Sequence, residues 1–212
     1  MNVSVVIATF GDQDWSDLAW SHAYPSASDE HPYETKMIHL PDGTLAQARN
    51  RGANDATGDW LLFLDADDEL APGYLAAMKK MMRYWNFARP GDLRENPMLF
   101  VPSVSYVHAP EYDGATGFAS EPRIPQEGQW PRLNECVIGT LVPRRLFLDL
   151  GGFRELPSLE DYDLFLRCFD AGARLDYVRD AVYRAYVSAD GRNADQSPYD
   201  SIWADHLARV NG

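Results

Sequence analysis

Residues 60–64, Trp-Leu-Leu-Phe-Leu, run without a polar break into Asp65, Asp67, Asp68 and Glu69. Such a short, wholly apolar run reads as a strand buried on both faces, the kind found in parallel sheets covered by helices. "VSVVIAT" at 3–9 is β-branched and apolar and reads the same way. Between them the pattern alternates. A helix is expected around "DWSDLAWSHAY", a loop at "SASDEHPYE" and a second strand at "TKMIHL". Thr44 can cap a helix over "LAQARNRGANDAT", closed near Gly58. A helix opened by Pro72 runs to about Trp85, and a strand covers 98–107. Residues 108–132 read as an irregular loop. "CVIGTLVPRRLFLDLGGF" gives a strand and a short helix, "SLEDYDLFLRCFDAG" a helix, and "ARLDYVRDAVYRAYV" one or two last strands. Strands alternating with helices predict an α/β fold, a single mixed, mostly parallel Rossmann-like sheet flanked by helices. Such sheets bind ligands at the carboxyl ends of their strands, where Thr9, Phe10 and Asp65 fall.

The chain has 212 residues, 45% of them apolar, which suits one domain spanning 1–212 with a core of its own. It carries 32 acidic and 19 basic residues, a net charge of −13. That balance argues against nucleic acid as a partner, since phosphate backbones want a basic surface. A phosphate-bearing small molecule needs a metal ion or a few arginines to reverse the sign locally. No apolar run approaches the roughly 20 residues that cross a bilayer, so no transmembrane segment is expected. The N-terminus lacks a signal peptide's basic region and cleavage site. Cys136 and Cys168 form no Cys-x-x-Cys pair and read as reduced thiols of a cytoplasmic protein. The oligomeric state is open.

The acidic cluster needs an explanation. If the extended form persists, Asp65 and Asp67 face the same way with Cα atoms roughly 6.5 Å apart. Two carboxylates about 4 Å apart repel by about 1 kcal/mol in water and about 4 kcal/mol at an effective dielectric near 20. A divalent cation turns that repulsion into binding. Mg²⁺ or Mn²⁺ suits oxygen ligands shared between one or two carboxylates and substrate phosphates. The alternative is a solvated loop whose acids favour the dipole of the following helix. A calcium loop of the helix–loop–helix kind fails, because Leu70 and Ala76 stand where Gly and Glu are required. A phosphatase with Asp65 as nucleophile is disfavoured by Glu69. A second pair, Glu160 and Asp161, has two readings as well. Ser158 with Asp161 makes a capping-box pattern, or Asp161 projects into a cleft as a general base.

Taken together, "VSVVIATFG", "LAQARNRGANDATGDWLLFLDADDEL", "IGTLVPRRLFLDLGGFRE" and "LEDYDLFLRCFDAGARLDYV" resemble, in order, the motifs of family-two glycosyltransferases with the A-type fold. The resemblance implies transfer of a single sugar from a nucleoside-diphosphate sugar, of UDP or GDP type, to an acceptor hydroxyl with inversion. It implies Mn²⁺ or Mg²⁺ as cofactor. Asp65 and Asp67 match the DxD motif, with Asp65 on the donor ribose and Asp67 on the metal. Ala8, Thr9 and Phe10 match the floor of the base pocket, Arg49 lies near the nucleotide, and Ala66 sits within the motif. Asp161 matches the acceptor-side base, with Glu160 beside it. Trp130 and Asn134 precede the acceptor-side strand and are expected to line that side. The donor half is expected over 1–70, the acceptor half over 98–188, and a polar tail or lid over 189–212.

The chain departs from the pattern in three places. It is short by about one strand and one helix before the Ala-Arg-Asn helix, and the acid that reads the base is missing; Asp42 and Glu34 do not align with it. Arg184 stands near the place of a metal-shell histidine, so Arg184, and Arg192 in the tail, are expected to contact the diphosphate. Ala8 replaces a proline. A non-catalytic nucleotide-sugar or carbohydrate binder, or an enzyme handling phosphoryl or nucleotidyl groups, is the alternative.

Overall fold

The computed structural model describes residues 1–88, 96–108, 118–187 and 197–211. The first half is a parallel β/α arrangement. Strand β1 (Val3–Phe10) is buried along almost its whole length and pairs in parallel with β2 (Glu34–Leu40) on one side and β3 (Trp60–Leu64) on the other. Between β1 and β2 the chain forms α1 (Gln13–Ser21) and α2 (Ala23–Asp29). The second of these lies where the sequence predicts a loop. Its polar residues hide a run of small ones, and Ala23 and Ala27 are fully buried.

Helix α3 (Leu45–Asp55) begins with the expected cap. Thr44 accepts from the Gln47 backbone N–H, and Gln47 reaches back to Thr44, so two of the four N–H groups left open at a helix start are satisfied. Right-handed crossovers from β1 to β2 and from β2 back past β1 to β3 put α3 on the opposite face of the sheet from α1 and α2. Gly52 lets α3 approach closely, because a Cβ there would stand 2.4 Å from Val6 Cγ1.

The chain reverses direction in the sheet between β1 and β3, which places the ligand crevice at Phe10 and Asp65. No described strand lies beyond β2. Glu34 sits at the amino end of β2, held by Lys36, Ser4 and Thr57, which bring its carboxyl down to about 2 against the opposing effect of burial. It is therefore at the wrong end of the sheet to read a base.

Past Asp65 come β4 (Glu69–Leu70) and α4 (Tyr74–Ala88). The latter starts two residues after Pro72, and Glu30 accepts from the Gly73 and Leu75 N–H groups at that start. The second sheet has the order β4, β8 (Arg174–Val187), β5 (Met98–His108), β6 (Phe118–Ala119). Its long central pair, β5 and β8, is parallel. The two sheets meet at a seam. Leu141 exchanges backbone hydrogen bonds with Phe100 of β5, and the next residues, β7 (Val142–Pro143), pair with β3. The expected mixed, mostly parallel α/β architecture is thus present as two four-stranded sheets joined edge to edge.

Three helices complete the fold: α5 (Arg144–Asp149), α6 (Glu160–Asp170) and α7 (Tyr199–Asn211). The last arises where the sequence reads as a polar tail, and it docks on α6 through His206 and Arg209, both paired to Asp170. Within the expected irregular loop, 118–132 is described and holds β6. The stretch 109–117 and the segment carrying Arg192 lie outside the described residues.

Candidate functional site

The backbone does not stay extended after β3. The Asp68 N–H donates to the Asp65 carbonyl at 3.2 Å, closing a turn over 65–68. The expected same-face spacing of Asp65 and Asp67 is replaced by this turn, because extension would fan four acids along one edge with nothing to separate them. The turn sorts them instead. Asp68 goes inward, 7% exposed, and accepts from the Tyr183 hydroxyl at 2.7 Å and the Tyr186 N–H at 2.8 Å. Burial, then the charges of Asp65 and Asp67, push its carboxyl well above the usual range against those two donors. Asp65 stays half-buried in the cleft wall, and Asp67 is half-buried but outside the cleft lining, with Ala66 buried between them. Glu69 turns to Arg184, 3.4 Å away.

Arg49, five residues after its helix cap Thr44, is 3% exposed. One guanidinium nitrogen donates to Asp65 and another to Glu160 Oε1 at 2.7 Å. Burial works against its charge, but Asp65 and Glu160 outweigh that and drive its pKa further up. Its neighbour Asn50 brackets Phe153 by both backbone groups, accepting from the N–H at 2.8 Å and donating to the carbonyl at 2.9 Å. Phe153 in turn lies under the Arg49 guanidinium, 5.2 Å from ring centre to carbon. Helix α3, through Arg49 and Asn50, therefore grips the Gly-Gly-Phe segment directly.

That segment leads to α6. The capping box expected from Ser158 and Asp161 does not form: Leu159 is the cap residue, in the left-handed region at φ 58°, with no side-chain cap bond. The Asp161 carboxylate instead accepts from its own neighbour's N–H, that of Tyr162, at 2.8 Å, and from the Asn134 amide at 3.3 Å. Its pKa is pushed up to about 6, chiefly by burial and then by Glu160 and Asp65, with the Tyr162 N–H and Arg49 pulling the other way.

Two hollows flank this helix start. A cleft of about 250 Å³ is lined by Asp65, Arg49, Asp161 and Asn134 on its polar side and by Tyr106 and Val137 among others on its apolar side. A second hollow of about 360 Å³ lies between Phe10, the start of α3 and residues 155–157. Glu160 borders both.

Of the sequence-predicted residues, Arg49, Asp65, Glu160, Asp161 and Asn134 come together in the first cleft. Phe10 lines the second. Thr9 is 5% exposed and bonded to His39, and Ala8 is core. Trp130 packs edge-on against Tyr162 and Phe169, outside the cleft lining. Sequence reasoning missed Tyr183, Asn50 and Glu135. Only Asn50 carried a signal, its place beside Arg49.

Among the described residues no three His, Cys, Asp or Glu side chains are grouped to hold a metal ion. The donor set present, half-buried Asp65 and Asp67 as neighbouring carboxylates, fits a hard divalent ion that takes one or two carboxylates and completes its shell from phosphate and water.

Residues 21–86 match glycosyl transferase family 2. Over 171 residues the chain is 29% identical to an uncharacterized glycosyltransferase of Haemophilus influenzae, covering 72% of this chain and 52% of that one. It is 28% identical over 197 residues to the O-antigen biosynthesis protein RfbC of Myxococcus xanthus, covering 84% of this chain and 14% of the relative. Among solved structures, residues 1–349 of S. aureus TarS in complex with UDP-GlcNAc superpose with a TM-score of 0.68 at 13% identity, covering 99% of this chain and 66% of that one. GalNAc-T7 with UDP, GalNAc and Mn²⁺ superposes at 0.61 and 17% identity, covering 98% and 48%. The fold is thus the A-type glycosyltransferase fold. The family match falls within residues 21–86, and the chain spans about half the length of the Haemophilus relative.

Proposed function

We propose that this chain transfers a single hexosyl unit from a nucleoside-diphosphate sugar, of UDP or GDP type, to an acceptor hydroxyl with inversion. The observation that carries the reading is Asp161: a carboxylate raised to about 6, facing a cleft that also holds Asp65 and Arg49. A base with a pKa near the working pH combines the charged form with useful basicity. Asp161 takes the proton from the acceptor hydroxyl as its oxygen bonds to the anomeric carbon and the bond from that carbon to the diphosphate breaks. Glu160, clamped by Arg49, is a strut and not the base. Asp65, oriented by the same arginine, meets the donor ribose, and Phe10 lines the hollow taken to hold the base.

Asp67, with Asp65 beside it, would hold Mn²⁺ or Mg²⁺, and the ion when bound opposes the charge gained by the leaving diphosphate. GalNAc-T7, which shares the fold, was solved with UDP and Mn²⁺. Arg184 reaches the diphosphate only by leaving Glu69. We take 1–70 as the donor half, 98–188 as the acceptor half and 189–212 as a tail whose helix α7 braces α6. No described helix is long and apolar enough to cross a membrane, and the two cysteines are buried and free, in keeping with work in a reducing, cytoplasmic setting.

The test is a thermal-shift panel of nucleotides and nucleotide sugars with and without Mn²⁺, followed by nucleoside-diphosphate release from the best donor. A ligand specific to the folded state raises the melting point by its binding free energy. Absence of any Mn²⁺-dependent shift across the panel would overturn the reading. A pure binder would give the shift and no release.

A further inference from the structure

Asn134 is the residue whose arrangement exceeds what lining a cleft requires. Its side-chain oxygen accepts from the Cys136 N–H at 3.1 Å, which fixes which way round the amide sits. The amide nitrogen is thereby turned to Asp161 Oδ2, 3.3 Å away. The next residue anchors the loop. Glu135 is fully buried, and its carboxylate collects the Gln129 and Trp130 N–H groups and the Tyr177 hydroxyl. The same loop is tied to α6 from the other side, where the Tyr162 hydroxyl donates to the Pro131 carbonyl at 2.8 Å. A rigid loop and a fixed amide together present one N–H donor to one carboxylate oxygen. The second oxygen of Asp161 is held by the Tyr162 N–H at 2.8 Å, so the carboxylate is gripped at both ends.

We propose that Asn134 is a positioning residue, which holds the Asp161 carboxylate in its charged form and in one orientation toward the cleft. The inference rests on the reading of Asp161 as the base. Charged and titratable groups face Asp161 from several elements: Glu160 on its own helix, Arg49 from α3, Asp65 after β3, Tyr106 on β5 and Cys136 in the anchored loop. Of these, Glu160 and Asp65 oppose its ionisation. Arg49 favours it, but its guanidinium already bonds Asp65 and Glu160. The two N–H donors, from Tyr162 and Asn134, are therefore the direct hydrogen bonds that favour the charged form. Only the second comes from a side chain and can be removed by substitution.

The experiment is a carbon-13 carboxyl titration of aspartate-labelled protein by NMR, with Asp161→Asn assigning the resonance. In Asn134→Ala the Asp161 midpoint is expected to rise by about half to one pH unit. In Asn134→Asp, which keeps an oxygen for the Cys136 N–H but sets a carboxylate against Asp161, it rises further. A residue that merely shaped the loop would leave the midpoint of Asn134→Ala where it is in the wild type, and that result overturns the proposal. Loss of the fold in both variants assigns Asn134 to the scaffold and overturns it as well. Release of nucleoside diphosphate from the donor, read in parallel, separates this inference from the one beneath it. A shifted titration with full release activity in Asp161→Asn keeps the contact and removes the base. An unshifted titration with an inactive Asp161→Asn keeps the base and removes the positioning role.

Discussion

Arg49 and Glu160, separated by 111 residues of chain, share a buried hydrogen bond of 2.7 Å. The bond joins α3 to the start of α6, and Asp65 hangs on the same guanidinium. Removing the cation leaves two carboxylates in a poorly solvated place. Arg49→Ala is expected to cost about 3–5 kcal/mol of unfolding free energy, as breaking a buried pair from one side does. Arg49→Lys should recover little of it, because one ammonium does not reproduce a planar fork serving two partners. Urea denaturation measures both, and a loss below about 1 kcal/mol in Arg49→Ala would show that the pairing matters little.

Asp161 gives a pH signature in two observables. Its carboxyl titrates at about 6, so the rate of nucleoside-diphosphate release should climb with pH below that value and level off above it. The effect on stability runs the other way. A carboxyl that holds its proton more tightly folded than unfolded loses stability for the fold as pH rises from the ordinary carboxylate range, near 4, through about 6. Asp161→Asn should therefore be more stable than the wild type at pH 7.5, by about 1–2 kcal/mol once screening at the open cleft is allowed for, and no more stable near pH 3. Denaturant melts at the two pH values decide it; a variant less stable than the wild type at pH 7.5 contradicts the assignment.

The bracket from Asn50 to Phe153 is a structural prediction. Asn50→Asp puts a carboxylate against the Phe153 carbonyl while keeping the other bond, and should cost about 1–3 kcal/mol. Gly152→Ala should be at least as damaging. Its backbone is at φ 73°, and a Cβ there would stand 2.3 Å from Asn50 Oδ1. Thermal melts report both, and donor affinity should fall with them because Arg49 rides on the same helix.

Metal dependence falls to Asp67. On the proposed reading, Asp67→Asn should abolish the Mn²⁺-dependent part of the thermal shift given by a nucleotide sugar while leaving the melting point of the free protein within about 2 °C, since the residue is only half-buried. Asp65→Asn should also lower the free protein's melting point, because Arg49 then loses a charged partner. A wild-type Mn²⁺ response in Asp67→Asn would place the ion elsewhere.

The parts legible in the sequence are those written as periodicity and local chemistry. β1, β3 and the Thr44 cap of α3 were readable because apolar runs and a capping box are short-range signals. The gathering of Arg49, Asp65 and Asp161 was readable through the resemblance to a family and not from the residues alone. What escaped was set by long-range packing. The turn at 65–68 depends on Tyr183 and Tyr186, more than a hundred residues on, which offer Asp68 a buried berth. The helical state of 23–29 depends on small side chains finding the sheet. The cap of α6 passed to Leu159 because the preceding Gly-Gly-Phe segment, gripped by Asn50, delivers the chain at an angle that a sequence pattern cannot express.

That left-handed Leu159 also sets where the two adjacent carboxylates point. Successive helical residues point about 100° apart, so Glu160 meets Arg49 while Asp161 looks into the cleft. A one-residue shift in the register of this helix start would turn it by that angle, carrying one carboxylate into the other's place and Leu159 or Tyr162 into the place it left. The separate aims of the two acids are thus stored in the phase at which the helix begins.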